Sequence, residues 1–259
     1  FLISFITTLL LIPRIIHTTL KLGFLDNPDS RSSHRNSIPT LGGIAFYISL
    51  IIIFFILQKE NDNSIIITLL VSLSIIFFTG LKDDLKNISP KIKMIGQLIA
   101  VSLLMIHSEF YIFSLHGFLW IYELPPFIGI PFSIFLLIAI INAYNLIDGI
   151  DGLASVIGIV VAFCFGLLFY NLELYFYVNI CIALISMLLA FLRYNFSEKK
   201  KIFMGDTGSL IIGFFLGLLA LRLLSLDFET TSMISIPRNF IPLIILSILI
   251  VPTFDVSRV

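Results

Sequence analysis

The sequence predicts an all-α fold, a polytopic membrane helical bundle. Four observations carry that expectation. The 259 residues are 58% hydrophobic and only 12% charged. Mean hydropathy is +1.08, which excludes a soluble one- or two-domain protein of this length. Apolar runs recur at close to the ~20 residues that cross a bilayer core. Phe occurs 26 times, more than a soluble core of this size needs.

Nine spans follow in order: 1–16, 42–57, 65–81, 94–107, 131–147, 153–170, 174–192, 208–224 and 240–255. The first, FLISFITTLLLIP, has no Met and no basic leader, so it reads as a clipped span rather than a signal peptide. The second opens at Gly42-Gly43, and the third runs up to Lys82-Asp83-Asp84. The fourth begins after Lys91 and Lys93, and the fifth ends through Asn142, Asn145 and Asp148. Gly152 opens the sixth, Arg193 closes the seventh, Gly205-Asp206 precedes the eighth, and Asp255 ends the ninth. Several spans fall short of a ~30 Å core at about 1.5 Å per residue, so they should extend into flanking polar residues. No internal repeat is visible. Cys164 and Cys181 lie inside apolar runs without CxxC spacing and read as small buried hydrophobes.

Net charge is zero, which predicts no nucleic-acid partner. The distribution of charge is uneven. With nine spans, thirteen of the sixteen Lys and Arg fall on the side of 17–41, 82–93, 148–152, 193–207 and the C-terminal end. The other side carries Lys59, Arg222 and Arg238. The basic side is therefore expected to be cytoplasmic. The long opposite-side segment 108–130 holds the single Trp120 and reads as an interfacial anchor, either a hairpin or a helix.

Acidic residues beside hydrocarbon are costly unless paired, hydrated or metal-bound, so they mark function. Five motifs on the basic side contain the candidates. Residues 26–43, DNPDSRSSHRNSIPTLGG, offer Arg31, His34, Thr40, Gly42 and Gly43. Glycines at a helix start let backbone N–H groups approach an anion. Residues 81–97 contain Asp83-Asp84, which resist joint ionisation without a cation or donors. Lys93 and Gln97 lie four apart there and can share one face. In NAYNLIDGIDGLA, Asn142, Asn145 and Asp148 recur every three residues and cover one broad face. Gly149 and Gly152 can turn Asp151 back toward it. IFMGDTGSL offers Asp206, with an N-cap as its plainer explanation, and Phe203 as an apolar surface for a base. PTFDVSRV adds Asp255 and Arg258, as site residues or as a helix-end ion pair.

Hard oxygen ligands suit Mg²⁺, which commonly bridges phosphates. A basic face attracts a nucleotide, and a site at the lipid boundary admits a lipid phosphate. Together these predict phosphoryl-type transfer between a cytosolic nucleotide and a membrane lipid.

The ordered set PTLGG, DD with a downstream Lys and Gln, NAYNLIDGIDGLA, FMGDTGS and FDVSR resembles the polyprenyl-phosphate N-acetylhexosamine-1-phosphate transferase superfamily over nearly the whole chain. The RSSHRNSIPTLGG loop is more similar to the undecaprenyl-phosphate GlcNAc-1-phosphate transferase branch, which starts O-antigen, common-antigen or teichoic-acid synthesis, than to the muramyl-pentapeptide branch. The resemblance implies a bacterial inner-membrane enzyme with ten spans and a cytoplasmic active site. It implies a UDP-N-acetylhexosamine donor, undecaprenyl phosphate as acceptor, release of UMP, and Mg²⁺, with Mn²⁺ as an alternative. A homodimer is compatible with it. It implies Asp206 and Asn145 as metal ligands, Asp83 as the base on the lipid phosphate, and Asp84 as an organiser of metal and substrate. Asn142, Asp148, Asp151 and Phe203 would hold the nucleotide sugar. The family also carries a His-rich loop and a last span after FDVSR, so the chain is expected to be one domain, 1–259, truncated at both ends.

Rival readings fit less well. An ion-coupled transporter would place its acids near the bilayer midplane, not at span ends. An intramembrane aspartyl protease of GxGD type needs Gly where Phe203 stands, and its YD partner is missing. A DDxxD prenyl-diphosphate site needs Asp where Asn87 stands.

Overall fold

The computed structural model describes residues 1–26, 38–58, 63–226 and 237–251. Among the described residues the protein is all-α apart from one minimal antiparallel pair, β1 (Leu25–Asp26) with β2 (Ile38–Pro39). The helices are α1 (Leu2–Leu22), α2 (Gly43–Leu57), α3 (Asn63–Lys86), α4 (Pro90–Leu104), α5 (Pro126–Ile147), α6 (Leu153–Asn171), α7 (Tyr175–Asn195), α8 (Gly205–Leu224) and α9 (Ile241–Ile248).

Six of them, α1, α3, α5, α6, α7 and α8, are long and apolar enough to cross a membrane. The expected spans 42–57 and 94–107 are helices of 15 residues each, α2 and α4. The last expected span is represented by α9, and residues 252–259 lie outside the described part.

The axis of the bundle is α8. Of its apolar window, 94% is buried inside the protein, so α8 meets helices rather than lipid. It packs chiefly against α5, α3 and α2. Close helix approach in a membrane depends on small residues. A Cβ at Gly80 of α3 would stand 2.6 Å from Thr207 Cα, and one at Gly43 of α2 would collide with the backbone of Gly208. Either methyl would push its helix off the start of α8. On the far side, α6 pairs with α7, and α7 with α1.

Several boundaries depart from the sequence reading: α1 runs on to Leu22 beyond the expected end at 16, and α5 begins at Pro126 ahead of the expected 131. Residues 82–93 were expected as a loop, but α3 continues to Lys86 and α4 begins at Pro90, leaving 87–89 as the link. Asn87 ends α3 in the left-handed region at φ 45, with its N–H on Asp83 O at 2.8 Å. Acids in a last turn oppose the helix dipole. Here each is compensated from another helix, as described below. At the opposite end, residues 113–124 form a hairpin-like turn around a short 3-10 turn at Phe118–Trp120, with Leu124 N–H on Phe113 O at 2.8 Å. Trp120 at its tip is 86% exposed, as an interfacial anchor would be.

Candidate active site

The chemistry-bearing residues gather at one end of the bundle, where α3 ends, α4 and α8 begin, and α5 ends. Their centre is the Lys93 ammonium. It lies 3.0 Å from Asp83 Oδ2, 2.8 Å from Asp206 Oδ1 and 3.1 Å from Asn145 Oδ1. Four helices thus meet through one cation: α3 through Asp83, α4 through Lys93, α5 through Asn145 and α8 through Asp206. An ammonium has three N–H donors, so this one has an acceptor for each.

Asn145 is held on its other side as well. Its amide donates to Asp206 Oδ1 at 2.5 Å and to Ser209 Oγ at 2.7 Å. Asp83 is fixed by the Ile88 N–H, 2.9 Å from Oδ1. Asn142, one turn before Asn145, forms a two-way amide pair with Gln97 of α4, at 2.8 and 3.2 Å. The expected i, i+4 pair Lys93 and Gln97 does share a face, and each receives one polar residue of α5.

Asp84 behaves differently from its neighbour. Successive helix residues point about 100° apart. Asp84 turns to the first turn of α8, where Oδ1 accepts the Asp206 N–H at 2.7 Å. Its Oδ2 accepts the Thr207 N–H at 2.9 Å and the Thr207 hydroxyl at 2.5 Å. It therefore caps α8 from another helix, satisfying N–H groups that the helix itself leaves open. Gly205 stands at φ 69, and a Cβ there would come 2.7 Å from both Asp84 carboxylate oxygens. Only glycine leaves room for this cap. The N-cap alternative weighed for Asp206 does not hold, because Asp84 does that work and Asp206 faces Lys93.

Gly42 and Gly43 also differ from expectation. Their N–H groups donate to Phe203 O at 3.1 Å and Met204 O at 3.0 Å, and Phe203 N–H returns to Pro39 O at 2.9 Å. Both amides are occupied by the carbonyls of Phe203 and Met204, so they hold that segment and the start of α8 instead of presenting donors to an anion. Half-buried Thr40 lies in the same docking turn. Arg31, His34, Asp255 and Arg258 lie outside the described residues.

Beside the centre, Asp148 is the C-cap residue of α5. Burial, then the negative charges of Asp206, Asp84 and Asp151, pushes its carboxyl up to about 7. Asp151 is ion-paired with Lys201, whose ammonium also lies 5.5 Å from the centre of the Phe203 ring. Lys201 links two candidate residues, yet the sequence offered it only as part of a basic run. Asn195 was also missed. Buried at the end of α7, it accepts the Gly152 N–H at 2.6 Å and donates to Ile202 O at 3.0 Å. It thereby ties the 148–152 turn to the 196–204 segment. A polar residue ending an apolar run was the available signal, as it was for Asn142.

A metal would have to use oxygens. Among the described residues no three His, Cys, Asp or Glu form a ready metal group. The oxygens converging on Lys93 are two carboxylates and one amide, hard donors of the kind Mg²⁺ takes through one or two carboxylates while keeping waters. That donor set fits a hard divalent cation. The cluster is also short of positive charge. Among the described residues, Asp83 and Asp206 share the single ammonium of Lys93, while Asp151 is balanced by Lys201.

Comparison with known proteins points the same way. The family model of Glycosyl transferase family 4 matches residues 65–224. The probable undecaprenyl-phosphate N-acetylglucosaminyl 1-phosphate transferase of Bacillus subtilis (strain 168) is 30% identical over 258 residues, 99% of this chain and 69% of that protein. A phospho-N-acetylmuramoyl-pentapeptide-transferase of Clostridium perfringens (strain 13 / Type A) is 34% identical over 234 residues, 85% of this chain and 74% of that protein. The undecaprenyl-phosphate alpha-N-acetylglucosaminyl 1-phosphate transferase of Escherichia coli (strain K12) is 31% identical over 205 residues, 75% of this chain and 53% of that protein. The family match runs from the first turn of α3 to the end of α8, and so takes in Asp83, Lys93, Asn145 and Asp206 together. The chain belongs to glycosyl transferase family 4.

Proposed function

We propose that this protein transfers an N-acetylhexosamine 1-phosphate from a UDP-sugar to undecaprenyl phosphate, releasing UMP and starting a lipid-linked cell-envelope polysaccharide. The observation that carries the reading is the convergence of Asp83, Asn145 and Asp206 on one cation at the end of an apolar bundle. A lipid phosphate can reach such a place from the membrane and a nucleotide from water.

In the net reaction an oxygen of the lipid phosphate bonds to the sugar-linked phosphorus of the donor. The bond from that phosphorus to the bridging oxygen breaks, and UMP leaves with that oxygen. Asp83 takes the proton of the lipid phosphate. Asp206 and Asn145 would hold Mg²⁺, or Mn²⁺ in its place, and the ion would neutralise charge on the donor diphosphate. Asp84 acts by holding the start of α8, so that Asp206 is presented at a fixed height. Lys93 supplies positive charge to the phosphates, with Gln97 and Asn142 bracing its wall. Asp148, Asp151, Lys201 and Phe203 form the side that receives the nucleotide sugar. Preorganised charge of this kind accounts for most of the rate in phosphoryl transfer.

We read the chain as one membrane domain with nine crossings, α2, α4 and the α9 region supplying the three shorter ones. The basic asymmetry supports a cytoplasmic site in a bacterial inner membrane. A homodimer remains compatible with this reading.

The N-acetylglucosamine donor is favoured by the Bacillus subtilis relative, whose match extends over 99% of this chain, against 85% for the muramoyl-pentapeptide relative. The test is product analysis by mass spectrometry. Full-length protein in nanodiscs with undecaprenyl phosphate should form the lipid-linked sugar diphosphate from UDP-N-acetylglucosamine. Product only from the UDP-muramyl-pentapeptide would refute the donor assignment, and product from no UDP-sugar would refute the reaction.

A further inference from the structure

The Lys93 ammonium occupies the point to which the oxygen donors of the site are directed. Asp83 Oδ2, Asp206 Oδ1 and Asn145 Oδ1 lie 3.0, 2.8 and 3.1 Å from Nζ. A Mg²⁺ ion takes oxygens at about 2.0–2.1 Å. An ion held by Asp206 Oδ1 and Asn145 Oδ1 would compete with the ammonium for the oxygens it now binds, and two cations so close repel. We propose that Lys93 is an exchangeable internal counter-ion: it holds the donor oxygens together before a divalent cation arrives, and the cation displaces it.

The inference rests on the reading of this site as one that takes a divalent cation. It goes further in assigning Lys93 two positions. In the first, the ammonium relieves repulsion between Asp83 and Asp206, which come from different helices and otherwise face each other uncompensated. In the second, the flexible four-carbon stem carries the charge off the carboxylates. The ammonium is then free to meet a phosphate. Metal entry thus readies the anion-binding charge, which is not ready in the first position, where all three N–H donors of Lys93 are engaged.

The experiment measures Mn²⁺ binding by electron paramagnetic resonance, with no sugar nucleotide or lipid phosphate present. It uses the full-length protein in nanodiscs, comparing wild type with Lys93→Gln. Exchange predicts that Lys93→Gln binds Mn²⁺ about tenfold more tightly, within the usual range for coupling between two ligands. It also predicts that the variant melts at a lower temperature than wild type in EDTA, and that Mn²⁺ removes most of the difference. Equal or weaker Mn²⁺ binding by the folded variant overturns the exchange and leaves the metal reading standing. Absence of Mn²⁺ binding in both proteins overturns both.

If Lys93→Gln does not fold, wild type alone decides the matter. Acylation of Lys93, followed by mass spectrometry with the exposed Lys86 as internal reference, should speed up several-fold when Mg²⁺ is added. An unchanged ratio overturns the proposal.

Discussion

Replacing Asp84 by Asn separates a structural acid from a reacting one. The Asp84 carboxylate accepts three hydrogen bonds from the first turn of α8: the Asp206 N–H at 2.7 Å, the Thr207 N–H at 2.9 Å and the Thr207 hydroxyl at 2.5 Å. Asparagine has the same shape but only one acceptor oxygen. If that oxygen stays on Thr207, the amide NH₂ faces the Asp206 N–H, donor against donor. One charge-assisted hydrogen bond is then lost, about 1.5–3 kcal/mol, and a buried donor is left unpaired, about 1–3 kcal/mol more. A loss of about 2.5–6 kcal/mol should lower the melting temperature by about 5–24 °C, at ~2–4 °C per kcal/mol for a chain of this size. A thiol-reactive dye can follow the melt, because Cys181 is free and buried until the bundle opens. Well below its melting point the variant should keep measurable activity, since both Asp84 oxygens are engaged by the first turn of α8. An unchanged melting temperature together with complete loss of activity would refute the reasoning and place Asp84 in the chemistry.

Three further outcomes are expected. Asp206→Asn should lower turnover by about 10²–10³, the usual cost of removing one electrostatic stabiliser, with an unchanged circular dichroism spectrum. Near-normal turnover and metal dependence would show that Asp206 is misassigned. Gly80→Ala places a methyl 2.6 Å from Thr207 Cα and should destabilise by about 1–3 kcal/mol through overpacking, read as a lower melting temperature. Asp148→Asn should stabilise the metal-free protein more at pH 8 than at pH 5. The folded state holds the Asp148 proton up to about 7, whereas the unfolded chain releases it near 3.8. Wild type therefore loses stability as pH rises between those values, by at most about 4 kcal/mol at ~1.4 kcal/mol per pH unit, while the amide does not titrate. An equal difference between variant and wild type at both pH values would contradict this.

Much of the site was legible because polar residues in an apolar chain are expensive. The three-residue spacing of Asn142, Asn145 and Asp148 marked one face, and Asn142 and Asn145 do meet α4 and α8, whereas Asp148 stands just past the end of α5. Six of the nine expected spans correspond to helices of crossing length. What stayed hidden depends on tertiary direction. Asp83 and Asp84 are adjacent and chemically identical, and only the rotation of α3 against α8 sends one to Lys93 and the other to a helix start. The Gly42-Gly43 pair looks like an anion cradle until Phe203 and Met204 carbonyls are found on its amides. Lys201 and Asn195 act by joining loops that are distant in sequence, so spacing along the chain does not single them out. The 82–93 segment looked like a loop because its charges hid a continuing helix, which is tolerated there because α4 and α8 supply the compensating charge and donors.

The most direct test of the account is UMP release by the full-length protein in nanodiscs, measured with UDP-N-acetylglucosamine, with and without undecaprenyl phosphate and Mg²⁺. The account predicts release only when both are present, and its collapse in Asp206→Asn and Asp83→Asn. Release that needs no lipid phosphate, or that survives both substitutions, would contradict it.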